Sequence, residues 1–174
     1  MKWVDREFNF DLPVTESSRL IERLRSTPDE LEALVLSLPW ELLIRRDGNA
    51  WSIQENAGHL LSIESLFRGR LDDYRANLET LRPADMTNRR TVEACHNESD
   101  IRDILVEFRR QREELLRCLE EFGPDGFAKS AMHPRLGKRM RVCDMMYFQA
   151  EHDRHHLSRI RNLMRQFGAR SSSS

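Results

Sequence analysis

Apolar residues recur along most of this chain at helical spacing, three and four apart, rather than alternating with polar ones. Leu31, Leu34, Val35 and Leu38 form one such stripe, which stops before Pro39, where the pre-proline residue is pushed out of helical geometry. Upstream, a tract near Thr15 to Arg25 reads as a separate piece. The run Thr27-Pro28-Asp29-Glu30 combines an N-cap candidate, a proline at the first helical position and a capping-box glutamate, so a fresh helix is expected to start there. A second capping box, Ser52-Ile53-Gln54-Glu55, opens a long helix to about Leu81 with Ile53, Leu60, Ile63, Phe67, Leu71, Tyr74 and Leu78 on its apolar face. Ser99 is expected to cap a third helix that runs to Phe122 and ends at Gly123-Pro124-Asp125-Gly126. A fourth spans about Val142 to Phe167. No alternation elsewhere supports a sheet, the segment Phe127–Met132 has no clear assignment, and there is no internal repeat. The expected class is all-α, a four-helix bundle.

Two connectors are long for such a bundle. Arg82 to Glu98 separates helices two and three by 17 residues. A helix of about 28 residues is about 42 Å long, and 17 extended residues reach about 56 Å. A crossover that makes these helices parallel is therefore within reach, as is an ordinary antiparallel return.

A chain of 174 residues is expected to make one domain, residues 1–170, with a disordered tail at Ser171 to Ser174. Its net charge of −1, with both signs interspersed, gives no reason for nucleic acid or an anionic membrane as partner. Cys95, Cys118 and Cys143 are widely spaced and without CxxC, as expected of reduced thiols. No signal-peptide core and no apolar run near ~20 residues is present, so a cytoplasmic location is the expectation.

The chemistry concentrates in Glu151-His152-Asp153-Arg154-His155-His156. On a helical wheel His152 and His156 share the face of Met145, Gln149, Ile160 and Leu163, whereas His155 falls at its edge. His59 stands at the margin of the second helix's stripe, beside Ile63 and Leu66. A single histidine on such a face is usually a hydrogen-bonded core residue. Two at i, i+4, with a third on another helix, match an N₃ site for Zn²⁺ or Ni²⁺ with an open position for water or substrate. Glu55, Glu151 and Asp153 are candidates to orient an imidazole through its second nitrogen. Arg135, Lys138, Arg139 and Arg141 form a basic run just before the fourth helix. It is either a solvated loop or, through Arg135, Lys138 and Arg139, a clamp for an anionic cosubstrate. His133 in that run, like His155, has no assigned role, and no catalytic residue is identified. HExxH, HxxEH, P-loop, GxGxxG and GxSxG motifs are all absent.

Trp51-Ser52-Ile53-Gln54-Glu55 leading to Gly58-His59-Leu60, then His133-Pro134-Arg135-Leu136-Gly137, then Glu151 to His156, resembles the DinB-like superfamily in order and spacing. The resemblance covers residues 14 to 167. It implies an up-down-down-up four-helix bundle, consistent with a crossover between helices two and three, and a divalent metal held by His59, His152 and His156. It also implies a homodimer and a small-molecule substrate. Transfer of a low-molecular-weight thiol to an electrophile is the leading activity, with metal-dependent hydrolysis through bound hydroxide and a non-catalytic, stress-related metal-binding protein as alternatives.

Overall fold

The structure, a computed structural model, describes residues 3–171. Short 3-10 turns at Trp3–Asp5 and Val14–Glu16 lead into α1 (Ser17–Val35). After α2 (Trp40–Leu43) comes α3 (Ile53–Arg75), then a connector holding α4 (Arg89–Glu93). α5 (Ile101–Glu120) and α6 (Gly123–Gly126) precede a hairpin of β1 (Ser130–His133) and β2 (Lys138–Arg141), and α7 (Val142–Ser171) closes the fold. Of the tail expected at 171–174, Ser171 ends α7 and the rest lies outside the described residues.

α1 is one continuous helix with Pro28 inside it, not the two pieces expected from the capping signals. Proline cannot donate to the carbonyl four residues back, which costs about 3 kcal/mol when that carbonyl is left bare. Here the carbonyl belongs to Leu24, and Arg112 Nη1 of α5 donates to it at 2.7 Å. Thr27 is no N-cap either: its hydroxyl donates to Arg23 O at 3.1 Å. A tertiary contact thus repairs what the local sequence breaks.

α3 begins at the expected capping box, Ser52 Oγ accepting from Glu55 N, but it stops at Arg75 rather than near Leu81. Asn77 takes a left-handed conformation that ends the helix. Leu81 then pairs with the hairpin, its N–H donating to Met132 O at 2.9 Å. The hairpin is antiparallel, Ser130 opposite Arg141 and His133 opposite Lys138. Its four-residue strands are too short to show alternation in the sequence.

Cross-helix contacts fix the directions of the four long helices. Between α3 and α5, Glu64 meets Arg112, Arg68 meets Glu114 and Arg75 meets Glu121, so the numbers rise together and the helices are parallel. α1 and α7 are parallel by the same reading, from Arg23 with Glu151 and Glu30 with Arg161. Between α3 and α7 the numbers run oppositely, Asn56 against His156, His59 against His152 and Glu64 against Gln149. α1 and α5 are likewise antiparallel, Arg25 meeting Glu120 and Asp29 meeting Arg109. The bundle is therefore up-down-down-up, and the segment 76–100 is a true crossover.

The apolar core falls into two halves. One gathers Leu20, Leu24, Phe67, Leu71, Leu115 and Met146; the other gathers Leu31, Val35, Leu60, Phe108, Leu157 and Ile160. On every long helix the boundary between the halves is polar: Thr27, Glu64, Arg112 and Gln149 with Asp153. Arg112 is only 1% exposed and lies against both carboxylates, Nη2 reaching Glu64 Oε1 at 2.6 Å and Asp153 Oδ2 at 2.9 Å. Its guanidinium also stacks over Phe108. The Thr27 hydroxyl, shared with Arg23 O, also lies 3.2 Å from Asp153 Oδ2, and Gln149 Nε2 donates to Glu64 Oε1 at 3.1 Å. Buried charges of this kind are tolerated only when paired and hydrogen-bonded, and this layer supplies such partners from all four helices.

Candidate metal centre

The face of the polar layer between α3 and α7 carries the histidines. His59, His152 and His156 are each 5% exposed, and one ring nitrogen from each lies within 4.8 Å of the others. His59 Nε2 and His152 Nε2 face each other at 3.2 Å. Zn–N bonds of about 2.0–2.1 Å at tetrahedral angles put ligand nitrogens about 3.3–3.4 Å apart, so that edge already has the spacing a cation needs.

The outer nitrogens explain why the inner ones face one another. Asn56 Nδ2 donates to Ser52 O at 2.7 Å, which fixes the amide so that its oxygen accepts from His156 Nδ1 at 2.9 Å. With Nδ1 the donor, the lone pair of a neutral His156 sits on Nε2. His59 Nδ1 bonds Thr91 Oγ1 at 2.9 Å, a partner delivered by α4 in the crossover. His152 Nδ1 has no hydrogen-bond partner, nor has Asp153 Oδ1, and the two lie 4.0 Å apart, both buried. A carboxylate behind the outer nitrogen of an imidazole is the usual arrangement at ligating histidines. The donor set and its orphaned pair thus fit a divalent ion.

Protonation states agree. Burial, reinforced by His96 and His155, lowers His59 to about 4. Burial first, then His59, lowers His152 well below its ordinary value, and burial with His152 and His59 does the same to His156. All three are neutral near pH 7, as metal ligands must be.

The crossover is pinned where it supplies Thr91. The His96 ring packs so tightly on Gly58 that a Cβ there would come within 2.2 Å of it, and Ser62 Oγ lies 3.1 Å from His96 Nε2. Trp51 packs against His59 and His156, with centroids at 4.8 and 6.1 Å. The Gly58-His59 pair therefore holds both a metal-ligand candidate and the loop behind it.

A cavity of about 350 Å³ opens from the triad. Its walls include Trp3, Ile63, Leu66, Phe67 and Phe148, and its further polar groups include Arg70, His133, Arg135 and His155. Of the three basic residues expected to clamp an anion, Arg135 lines this cavity, and Lys138 and Arg139 are directed elsewhere. Lys138 Nζ donates to Phe8 O at 3.0 Å, and Arg139 bonds Ser130 Oγ on the hairpin surface. Arg141 donates to Leu12 O at 2.9 Å, and Arg135 also reaches Val4 O at 3.2 Å. The basic run thus ties the segment 3–12 across the mouth by its backbone carbonyls. That places the Trp3 ring against His152 and Phe148, with centroids at 5.2 and 5.1 Å.

Of the three carboxylates expected to orient an imidazole, Glu55, Glu151 and Asp153, it is Asp153 that comes near a ring of the triad. Glu55 is held by Arg46 and the Ser52 N–H, and Glu151 by Arg6 and Arg23. The partners the ring nitrogens do find are the neutral Asn56 and Thr91; Asn56 stands one helical turn before His59 yet serves His156 across the helix interface. Thr91 is brought in only by the crossover. His133 is buried and its Nδ1 accepts from Leu136 N at 3.2 Å, which leaves its proton on Nε2. Burial, with Arg70 and Arg135 nearby, lowers it to about 4.

The overall architecture is shared with YfiT from Bacillus subtilis, described as a probable metal-dependent hydrolase with an unusual four-helix bundle topology. The TM-score is 0.80 at 18% identity, over 94% of each chain. No functionally curated protein sequence matches the chain. The model of the DinB superfamily matches residues 23–160, a span containing all three histidines and all but the ends of the bundle. On that match the chain belongs to the DinB superfamily.

Proposed function

We propose that this chain is a metal-dependent enzyme that hydrolyses a small organic substrate, with His59, His152 and His156 holding a divalent ion, Zn²⁺ or Ni²⁺. The observation that carries this reading is the convergence of three buried neutral imidazoles whose outer nitrogens are engaged by, or face, hydrogen-bonding groups. When bound, the ion supplies a Lewis acid that polarises a substrate oxygen and acidifies a coordinated water or thiol. The residues around it do the rest. Trp3, Phe148 and Phe67 thin out water on the approach. Asp153, behind His152, adds negative charge that favours a cation in front of it. His133, with its lone pair occupied, is suited to donate a hydrogen bond to substrate, while half-buried His155 at the rim can exchange a proton with solvent.

Thiol transfer is the second reading. None of the three cysteines lines the cavity, so a thiol would have to come from a cosubstrate. A cavity of about 350 Å³ lies near the low end of the roughly 300–1,000 Å³ of small-molecule sites. It suits one compact ligand better than two, which puts hydrolysis first, in keeping with the description of YfiT.

Calorimetric titration of chelator-treated protein with Zn²⁺ and Ni²⁺ tests the site. One ion per chain is expected, and His152→Ala or His156→Ala should weaken binding by more than the roughly 10–100-fold that outer partners are worth. Unchanged affinity in both variants refutes the assignment. An ester panel assayed with and without added thiol separates the chemistries: turnover without thiol supports hydrolysis, and a strict thiol requirement supports transfer.

A further inference from the structure

The cavity has a second polar pole, away from His59, His152 and His156. Arg70, on α3, lines it, yet the residue is 1% exposed and its Nη2 is buried without a hydrogen-bond partner. Its Nε donates to the Arg82 carbonyl at 3.2 Å. Buried guanidinium groups are ordinarily satisfied on every face, because a bare donor of a charged group forfeits its hydration without compensation.

Among the described residues, neither Asp73 nor Asp85 is free to serve it. Asp73 is taken by Arg82 through its backbone N–H, Nε and Nη2, at 2.8, 3.0 and 2.7 Å. Asp85, the acidic residue on the cavity wall, is spent on the Thr87 and Arg89 backbone N–H groups and the Thr87 hydroxyl. Arg135 and His133 stand on the same wall and close enough to be felt electrostatically, Arg135 by Arg70, and both arginines by His133. Burial pulls Arg70 down to about 10, which leaves it cationic at neutral pH. The pole is thus positive and preorganised, and apolar walls connect it to the triad.

We propose that Arg70, assisted by Arg135 and the Nε2–H of His133, binds a carboxylate at the far end of the substrate, so that the enzyme acts on apolar molecules carrying a terminal carboxylate. This deepens the metal-dependent reading and rests on it for the chemistry, but the anion pole itself needs no ion. Arg70 is eleven residues beyond His59, about 16 Å of helix rise, and its side chain leans back towards the helix start. The reactive group would therefore lie on the order of 10 Å from the carboxylate.

The test uses metal-free protein in buffer without phosphate or sulfate, with 4-phenylbutyrate and its amide as calorimetric probes. The acid is expected to bind at least tenfold more tightly than the amide. That preference should vanish in Arg70→Met, shrink in Arg135→Gln, and persist in His152→Ala, which separates this pole from the metal site. No preference for the acid over the amide in the parent protein overturns the proposal, and that comparison stands even if Arg70→Met does not fold. Undiminished preference in folded Arg70→Met overturns it as well. Failure of the His152→Ala metal titration, with the acid preference intact, would count against the metal reading alone.

Discussion

Replacing Arg112 by Met removes the one cation of the polar layer and tests how that layer is held. Two buried carboxylates, Glu64 and Asp153, lose their ion-pair partner, and the Leu24 carbonyl opposite Pro28 loses its donor. Breaking a buried ion pair on one side costs about 3–5 kcal/mol, and baring a buried carbonyl costs about 1–3 kcal/mol. The charges relieve part of this by protonation, so a net loss of about 4 kcal/mol is expected. With a urea m-value of about 2 kcal/mol/M, the unfolding midpoint should fall by about 2 M with m unchanged. The loss should also depend on pH with a definite sign. Without Arg112 the two carboxyls have folded pKa values raised further by burial, so the folded state binds more protons than the unfolded one above about pH 4. The gap between variant and parent should therefore narrow as pH falls from 7 towards 5. Adding Glu64→Gln and Asp153→Asn should recover much of the loss. A midpoint shift below about 0.5 M, or a gap that widens on acidification, would refute the account of the layer.

The metal-free parent should lose stability on mild acidification. Burial lowers His59 and His133 to about 4 and holds His152 and His156 well below their ordinary value, so as pH falls below about 6.5 the unfolded chain binds more protons than the folded one. Their contribution is complete above pH 6.5 and is lost as pH falls, at about 1.4 kcal/mol per pH unit for each proton. Glu64 and Asp153, raised by burial, oppose this in part. A net slope near zero from pH 7 to 5 in urea titrations would contradict the burial of the triad as neutral rings. Separately, Asn56→Leu removes the acceptor that fixes the His156 tautomer and should weaken Zn²⁺ binding roughly 10–100-fold by calorimetry while leaving the fold intact by circular dichroism. Unaltered affinity would show that the amide does not set that ring.

Much of the bundle is legible in the apolar spacing, because each long helix has to cover one stripe. What spacing cannot show is a contact that overrides a local signal. Thr27-Pro28-Asp29-Glu30 carries every mark of a helix start, and the helix continues because an arginine from 84 residues further on stands in for the missing N–H. Glu64 and Arg112 look like surface charges when each helix is read alone, since either becomes tolerable inside only when the other is present. The triad was visible because His152 and His156 share a face, and His59 falls on a helix with its own stripe. Arg70 gave no such signal, as its burial depends on the hairpin and on the segment after Asn77. The basic run before α7 was visible as charge, but its main use, gripping backbone carbonyls of the first dozen residues, depends on a segment without side-chain complementarity that a sequence pattern could reveal.

The crossover topology also has a consequence for the order of events during biogenesis. The ring on α3 and its counterpart on α7 are separated by 93 positions along the chain, and the intervening helix runs alongside α3 without donating a ligand. A nascent polypeptide emerging as far as the hairpin would own a single imidazole of the three and could not retain an ion at that place. On the proposed assignment of the triad, ion capture follows docking of the last helix, a late step that locks a finished bundle rather than a seed around which the bundle condenses.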